Sequence, residues 1–206
     1  MDVVLALLVA GSIAAAATPS AAPPVGTSPT AATYVGAQAC VPCHAKEHAA
    51  WLGSNHQRAM QAATAKTVSG DFSGATFSDA GISARFFKKG EKFVVRTDGP
   101  DGKAADFEVA YTYGVEPLQQ YLIPFPGGRL QSLTLAWDTR PKADGGRRWF
   151  DLYPNEKIPP SDPLHWTGAD QNWNYMCASC HSTNLRKGYD ARTRTYASTW
   201  TDVDVA

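Results

Sequence analysis

Ala-Arg-Phe-Phe-Lys-Lys-Gly-Glu-Lys-Phe-Val-Val, residues 84–95, carries the clearest fold signal in the chain. Two short apolar runs flank a polar, glycine-containing turn, which predicts an antiparallel β-hairpin. Beyond it, apolar residues recur with the period of a half-buried strand in two groups, Phe107, Val109, Tyr111 and Tyr113, and Leu133, Leu135 and Trp137. Turns containing Gly or Pro separate these groups at residues 98–102, 126–128 and 144–146. We therefore expect an antiparallel meander of about five or six strands between residues 72 and 153.

One five-residue pattern occurs twice outside this region. The first motif is Cys40-Val41-Pro42-Cys43-His44, and the second motif is Cys177-Ala178-Ser179-Cys180-His181. Together they use all four cysteines of the chain. In a CxxCH pattern the two thiols can bond the two vinyl groups of one porphyrin, and the next residue binds the iron as proximal ligand. The pattern therefore predicts two covalent c-type haems, attached through Cys40, Cys43, Cys177 and Cys180, with His44 and His181 as proximal iron ligands.

Other uses of two CxxC pairs fit less well. Zinc ribbons usually separate their pairs by about 15–20 residues, whereas here most of the chain lies between Cys43 and Cys177. Disulfides and thioredoxin-like redox pairs do not need a histidine directly after the second cysteine. Covalent haem is the one interpretation that uses both histidines.

Three further histidines could supply the distal side of each iron. His48 lies one helical turn after His44 on the same face, so it cannot reach the opposite side of that porphyrin and is expected to be partly exposed or to pack. His56 follows a helix break at Gly53, and His165 lies on a proline-rich loop, so both are candidate distal ligands. With these two, both haems become bis-histidine. Met60 and Met176 are the alternative ligands.

The ends of the predicted sheet are expected to be helical. Residues 45–52 are helix-forming and follow the first motif directly. The predicted fold class is therefore α+β, with small helical haem-binding segments at both ends flanking an antiparallel β-meander. We expect a dihaem cytochrome c domain at 34–206, with haem segments at 34–65 and 161–206 and a β insert at 66–160.

The N-terminus predicts export. An apolar run from Val3 to Ala17 is short for a bilayer span and suits a signal peptide over residues 1–17, although it lacks a basic residue before it and carries Asp2. An uncleaved membrane anchor is the alternative. Residues 18–33 are rich in Ala, Pro and Thr, which indicates a disordered spacer.

The net charge of the chain is balanced. The number of Lys and Arg residues and the number of Asp and Glu residues are both 19, so the charge does not favour binding to nucleic acid.

The segments around the motifs resemble a known family. CVPCHAKEHAAWLGSNHQRAM, residues 40–60, is similar to the doubled-CxxCH and tetrahaem c-type cytochromes, in which CxxCH precedes a Trp and then Ser-x-His, here Trp51, Ser54 and His56. DPLHWTGADQNWNYMCASCHSTNL, residues 162–185, resembles the exported multihaem cytochromes that carry tetratricopeptide repeats. The resemblance implies haem at both motifs and a distal role for His56, and it supports His165 less firmly. Such proteins usually continue into a third CxxCH and the repeats, so we expect this chain to be a truncated N-terminal haem part.

These features predict an exported, periplasmic or cell-surface, dihaem cytochrome that transfers electrons, rather than an enzyme. Its expected partners are redox proteins and other multihaem cytochromes, with no nucleic acid, and a membrane only if the leader is uncleaved. Two alternatives stay open: the haem-containing part of a multihaem oxidoreductase acting on small nitrogen or sulfur compounds, and a fragment that functions only in a larger assembly. An enzyme of this kind would need an iron with an open or weakly held site.

Overall fold

A computed structural model describes residues 33–201 of the protein. The predicted signal peptide and almost all of the predicted spacer lie outside the described residues. Across the described part of the chain, no helix combines the length and the apolar character that a membrane crossing requires.

Short β-strands form most of the regular structure. They are β1 Met60–Ala62, β2 Thr76–Asp79, β3 Ile82–Lys89, β4 Lys92–Asp98, β5 Ala104–Glu108, β6 Tyr111–Tyr113, β7 Leu118–Phe125, β8 Arg129–Ser132, β9 Leu135–Asp138, β10 Arg148–Asp151, β11 Tyr189–Asp190 and β12 Thr195–Tyr196. All of the strand pairs described are antiparallel.

The first ten strands, between residues 60 and 151, form two sheets. One has the order β2-β3-β4-β5, and the other runs β1-β6-β7-β9-β10 with β8 also paired to β7. The predicted hairpin is confirmed as β3 and β4, since Lys89 pairs with Lys92 across a two-residue turn. Gly90 takes φ 60 in that turn, a conformation that glycine adopts at little cost.

The single meander that the alternation predicted is wrong. Its strand through Phe107 and Tyr113 is divided between the sheets, because β5 ends at Glu108 and β6 begins at Tyr111. The amide of Val109 still bonds to Phe93 in the first sheet, whereas the amide of Ala110 bonds to Leu122 in the second. The chain therefore changes sheets between two adjacent residues, and a period-2 pattern cannot reveal such a change.

Both sheets contribute to one aromatic core. Phe86 of β3 is fully buried and stacks on Trp149 of β10, with ring centroids 3.5 Å apart and planes 3° apart. Phe72 contacts both of these rings edge-on. A second, smaller core contains Met60, Tyr113, Leu122, Leu130, Trp173 and Ala178. This second core brings the C-terminal segment onto the face of the larger sheet.

The prediction of helical segments at both ends is also wrong, so the α+β assignment is replaced by a mostly antiparallel β fold. Helix α1, Val41–Trp51, follows a 3₁₀ turn at Ala37–Cys40, but at the other end α2 covers only Trp173–Met176. Trp, Asn and Tyr are weak helix formers, and Trp173 is held by core packing instead. After α2 the chain makes turns and then the short β11–β12 hairpin.

Candidate functional site

The first motif occupies the start of α1. Cys40 is the N-cap residue of this helix, and Pro42 stands in its first turn, where a missing amide hydrogen costs nothing. His44 departs from helical geometry, with φ −125 and ψ 38, so the helix is kinked at the predicted proximal ligand. Both cysteines and His44 are exposed. All three predicted attachment groups are therefore accessible from outside the protein.

Helix α1 has little to stabilise it within the described protein. None of its 11 residues is buried. An isolated helix shorter than about 12–15 residues is marginal in water, because most helical stability in proteins comes from packing an apolar face. Val35 before the motif and Leu52 after the helix are also exposed, at 72% and 51%. The first motif thus lies in a segment that buries none of its helical side chains within residues 33–201 and leaves Val35 and Leu52 exposed.

The second motif is built differently, because its first cysteine packs on the second core. Cys177 is half-buried, and Ala178 is fully buried in that core. Burial and, less strongly, the neighbouring Cys180 raise the pKa of the Cys177 thiol. Amides of Cys180 and His181 both donate to the carbonyl oxygen of Cys177, at 3.1 and 3.2 Å, which folds the motif into a tight turn.

The surroundings of His181 favour the neutral form of its imidazole. It is half-buried, and burial lowers its pKa, so the imidazole stays uncharged near neutral pH. Its Nδ1 is buried without a hydrogen-bond partner in the described protein, which is unusual for a buried polar atom. The ring meets the edge of Tyr113 at 5.7 Å between centroids. A neutral imidazole is the form that binds metals.

Two asparagines, which the sequence did not single out, hold the second motif to the sheet. Asn172 caps α2 by accepting from the Tyr175 amide at 3.0 Å, and it donates to Gln131 at 3.2 Å. Asn174 accepts from the Leu130 amide at 2.7 Å and donates to the Gly128 carbonyl at 3.2 Å. The sequence signal that could have indicated this role is the pair of asparagines on either side of Trp173, since Asn is a favoured residue at the start of a helix.

His48 and His56 both lie close to the first motif in sequence. His56 is exposed on the turn after α1, and within residues 33–201 its ring makes no described hydrogen bond. His48 is half-buried, contacts the Trp51 ring at 5.7 Å between centroids, and has an unpartnered buried Nε2. Of the two methionines that could replace a histidine, Met60 is fully buried in the second core, whereas Met176 is exposed at 52%.

His165 has partners for both of its ring nitrogens. The Thr167 amide points at Nδ1 from 3.3 Å, and the Thr167 hydroxyl lies 2.8 Å from the same nitrogen. With Nδ1 accepting, Nε2 carries the proton and donates to Asp98 at 2.8 Å. This hydrogen bond is the largest cause that lowers the pKa of Asp98. The side chain is 5% exposed, so in this arrangement it offers no open nitrogen to an iron, and its distal role stays a prediction.

The donor groups fit two separate haem attachments. All four cysteines are free thiols, and each pair has a histidine directly after it. Across the part of the chain that the structure covers, no three His, Cys, Asp or Glu side chains converge on a common metal position. A haem iron needs only one or two protein ligands, so the motifs suit an iron that a porphyrin already holds.

Fold and site together define a mostly antiparallel β domain with one CxxCH segment on each side of it in sequence. Comparison with protein-family models, with curated proteins and with solved structures gives no match for this chain.

Proposed function

We propose that the protein is an exported dihaem c-type cytochrome that transfers electrons. Cys40 and Cys43 hold one haem, with His44 as its proximal ligand. Cys177 and Cys180 hold the other, with His181 as its proximal ligand. The covalent haems supply reversible one-electron chemistry at iron, and the chain's own residues attach, orient and shield them.

The distribution of exposed apolar surface is the observation that carries this proposal. Within residues 33–201, the large hydrophobic side chains that remain exposed are Tyr34, Val35, Leu52, Tyr175, Met176 and Tyr189. Every one of them lies in a segment that contains a motif, and the scaffold between the segments has none. Large exposed hydrophobic side chains that concentrate in particular segments favour a binding role for those segments. A porphyrin is a large apolar plate, so it would cover the part of this surface nearest the cysteines that attach it, which at the second motif is Met176 beside Cys177.

Each motif contributes a different environment. The first motif is exposed, on a helix with no buried side chain, so its haem would be the main packing partner of α1. The second motif rests on the second core, where Tyr113 packs against His181. A more buried haem with fewer polar neighbours has a different reduction potential. The proposal therefore includes two haems with distinct potentials.

His56 is proposed as the distal ligand of the first haem, because it is exposed and follows α1 by a single turn. His56→Ala should convert one haem from low-spin to high-spin in the oxidised EPR spectrum while both haems stay attached. His48→Ala is the matched control on the same segment and should leave the spectrum unchanged. An unchanged spectrum in His56→Ala would contradict this assignment.

The partners of His165 give the enzyme alternative a specific basis. If His165 keeps these bonds to Asp98 and Thr167 when haem is attached, one iron would lack its predicted distal ligand and would keep an open site. An open site is what a reductase or oxidase of small nitrogen or sulfur compounds requires. Carbon monoxide titration of the reduced protein separates the two functions. An electron carrier with filled axial positions binds none, whereas one equivalent per protein, unaffected by His165→Ala, favours the enzyme.

A further inference from the structure

A groove of about 620 Å³ lies beside the second motif and uses none of its cysteines or its histidine. Its walls are the turn at Pro126–Gly128, the hairpin of β11 and β12, and the segment that contains α2. The hairpin packs closely on the turn, because a Cβ added at Gly128 would overlap the carbonyl oxygen of Tyr196. The volume falls within the range of small-molecule sites, about 300–1,000 Å³.

Three tyrosines give the groove its flat surfaces. Tyr189 and Tyr196 face each other across the hairpin with ring centroids 4.8 Å apart. Tyr175 lines the same groove and is 63% exposed, and Tyr189 is 52% exposed. The Lys187 ammonium lies 5.1 Å from the Tyr175 ring centroid and donates to the Tyr175 carbonyl at 3.1 Å. Large exposed aromatic rings in one concave surface are a platform for stacking.

The charge of the groove is positive. Arg129 and Arg194 line it, and no Asp or Glu is among its lining residues. Neither arginine forms an ion pair with any residue in the 33–201 range. Arg129 donates through Nε to the Pro126 carbonyl at 3.3 Å, which fixes its position and leaves its terminal nitrogens for another acceptor. By contrast Arg192, on the same hairpin but outside the groove, lies 3.8 Å from Asp190.

Arg194 has an unusual backbone conformation for a residue other than glycine. Arg194 has φ 56, in the left-handed region, at the end of the loop between β11 and β12. Glycine is the residue that takes this conformation without a steric penalty. An arginine here is less favourable for the turn than glycine, and it is one of the residues that line the groove. Strained positions of this kind concentrate at functional sites.

We propose that this groove binds a planar aromatic anion, a small molecule whose ring stacks on the tyrosines and whose acidic groups pair with the two guanidiniums. Guanidiniums form bidentate hydrogen bonds with carboxylates, sulfonates and phosphates, and they also stack on flat rings. An uncharged aromatic ligand would leave both arginines unpaired. An anion without a ring would leave the tyrosine surfaces exposed. The site does not depend on haem attachment and goes beyond the proposed electron transfer.

Isothermal titration of the purified full chain with anthraquinone-2,6-disulfonate tests the site. One equivalent should bind, and raising the salt from 0.05 to 0.5 M should weaken binding because ions screen exposed charges. Arg129→Gln and Arg194→Gly should each weaken binding about tenfold, the effect of losing one charge-assisted contact. Arg192→Gln is the matched control and should bind like the wild type.

Arg194→Gly also separates binding from folding. Glycine suits the turn, so this variant should keep or raise the melting temperature while its affinity falls. Absence of binding, equal binding of the neutral 2-(hydroxymethyl)anthraquinone, or full affinity in Arg194→Gly would overturn the proposal. Haem content is measured on the same samples by absorbance. A protein that binds the probe but lacks haem contradicts the proposed function alone.

Discussion

Replacement of Asn174 by alanine should destabilise the protein by about 3 kcal/mol. The side chain is 1% exposed and joins α2 to two other segments of the chain. It bonds to Leu130 and Gly128 in one segment and, at 2.9 Å, to the Ser198 hydroxyl in the other. Without it the buried Leu130 amide loses its acceptor, which costs about 1–3 kcal/mol. The two partly buried bonds contribute about 0.5–1 kcal/mol each.

Urea unfolding followed by far-ultraviolet circular dichroism measures this loss. Asn55→Ala is the matched control, because Asn55 is exposed and accepts one hydrogen bond from Arg58, so a change under about 0.5 kcal/mol is expected. A double-mutant cycle with Ser198→Ala should give a coupling of about 0.5–1 kcal/mol. A loss below about 1 kcal/mol in Asn174→Ala would show that the second motif is not held to β8 through this side chain.

Two further predictions concern the scaffold. The Asp138 carboxylate accepts hydrogen bonds from the Arg140 side chain at 3.0 and 2.6 Å, and these bonds lower the pKa of Asp138 from 3.8 to about 2. The ionised carboxylate therefore contributes fully to the free energy of unfolding above pH 3.8, and this contribution is lost as the pH falls towards 2. Asp138→Asn should flatten the dependence of unfolding free energy on pH in that window, and an unchanged slope would argue against the pair. Phe86→Ala should lower the free energy of unfolding by about 3–5 kcal/mol, because the fully buried ring stacks on Trp149. Phe87→Ala, on the other face of β3, is the control and should lower it much less in the same urea assay. Equal losses of unfolding free energy in the two variants would contradict the described faces of the strand.

Local signals predicted the parts of the fold whose causes are local. The β3–β4 hairpin was predictable because its turn and both strands lie within one short stretch, residues 82–98. The change of sheet at Val109 and Ala110 was not, because it depends on Phe93 and Leu122, which are distant in sequence. The same holds for α2, where packing of the Trp173 side chain and not helix propensity decides the conformation.

The candidate site shows the same division. The attachment residues follow from the spacing of cysteines and histidines within five positions, so the sequence alone proposes them. His165 could not be judged in this way, since its partner Asp98 lies 67 residues earlier in the chain. The pairing of Gln131 with Asn172 is likewise non-local, and only the fold brings these side chains together.

Covalent attachment of two haems is the central claim, and intact mass under denaturing conditions tests it most directly. The protein should be expressed in a host that exports it and has the machinery for haem attachment, because the thioether bonds to haem are expected to form after export. The proposal predicts the polypeptide mass plus two haems, falling by one haem in Cys40→Ala/Cys43→Ala and by the other in Cys177→Ala/Cys180→Ala. A mass equal to the polypeptide alone, with no Soret absorption in the native sample, would contradict it.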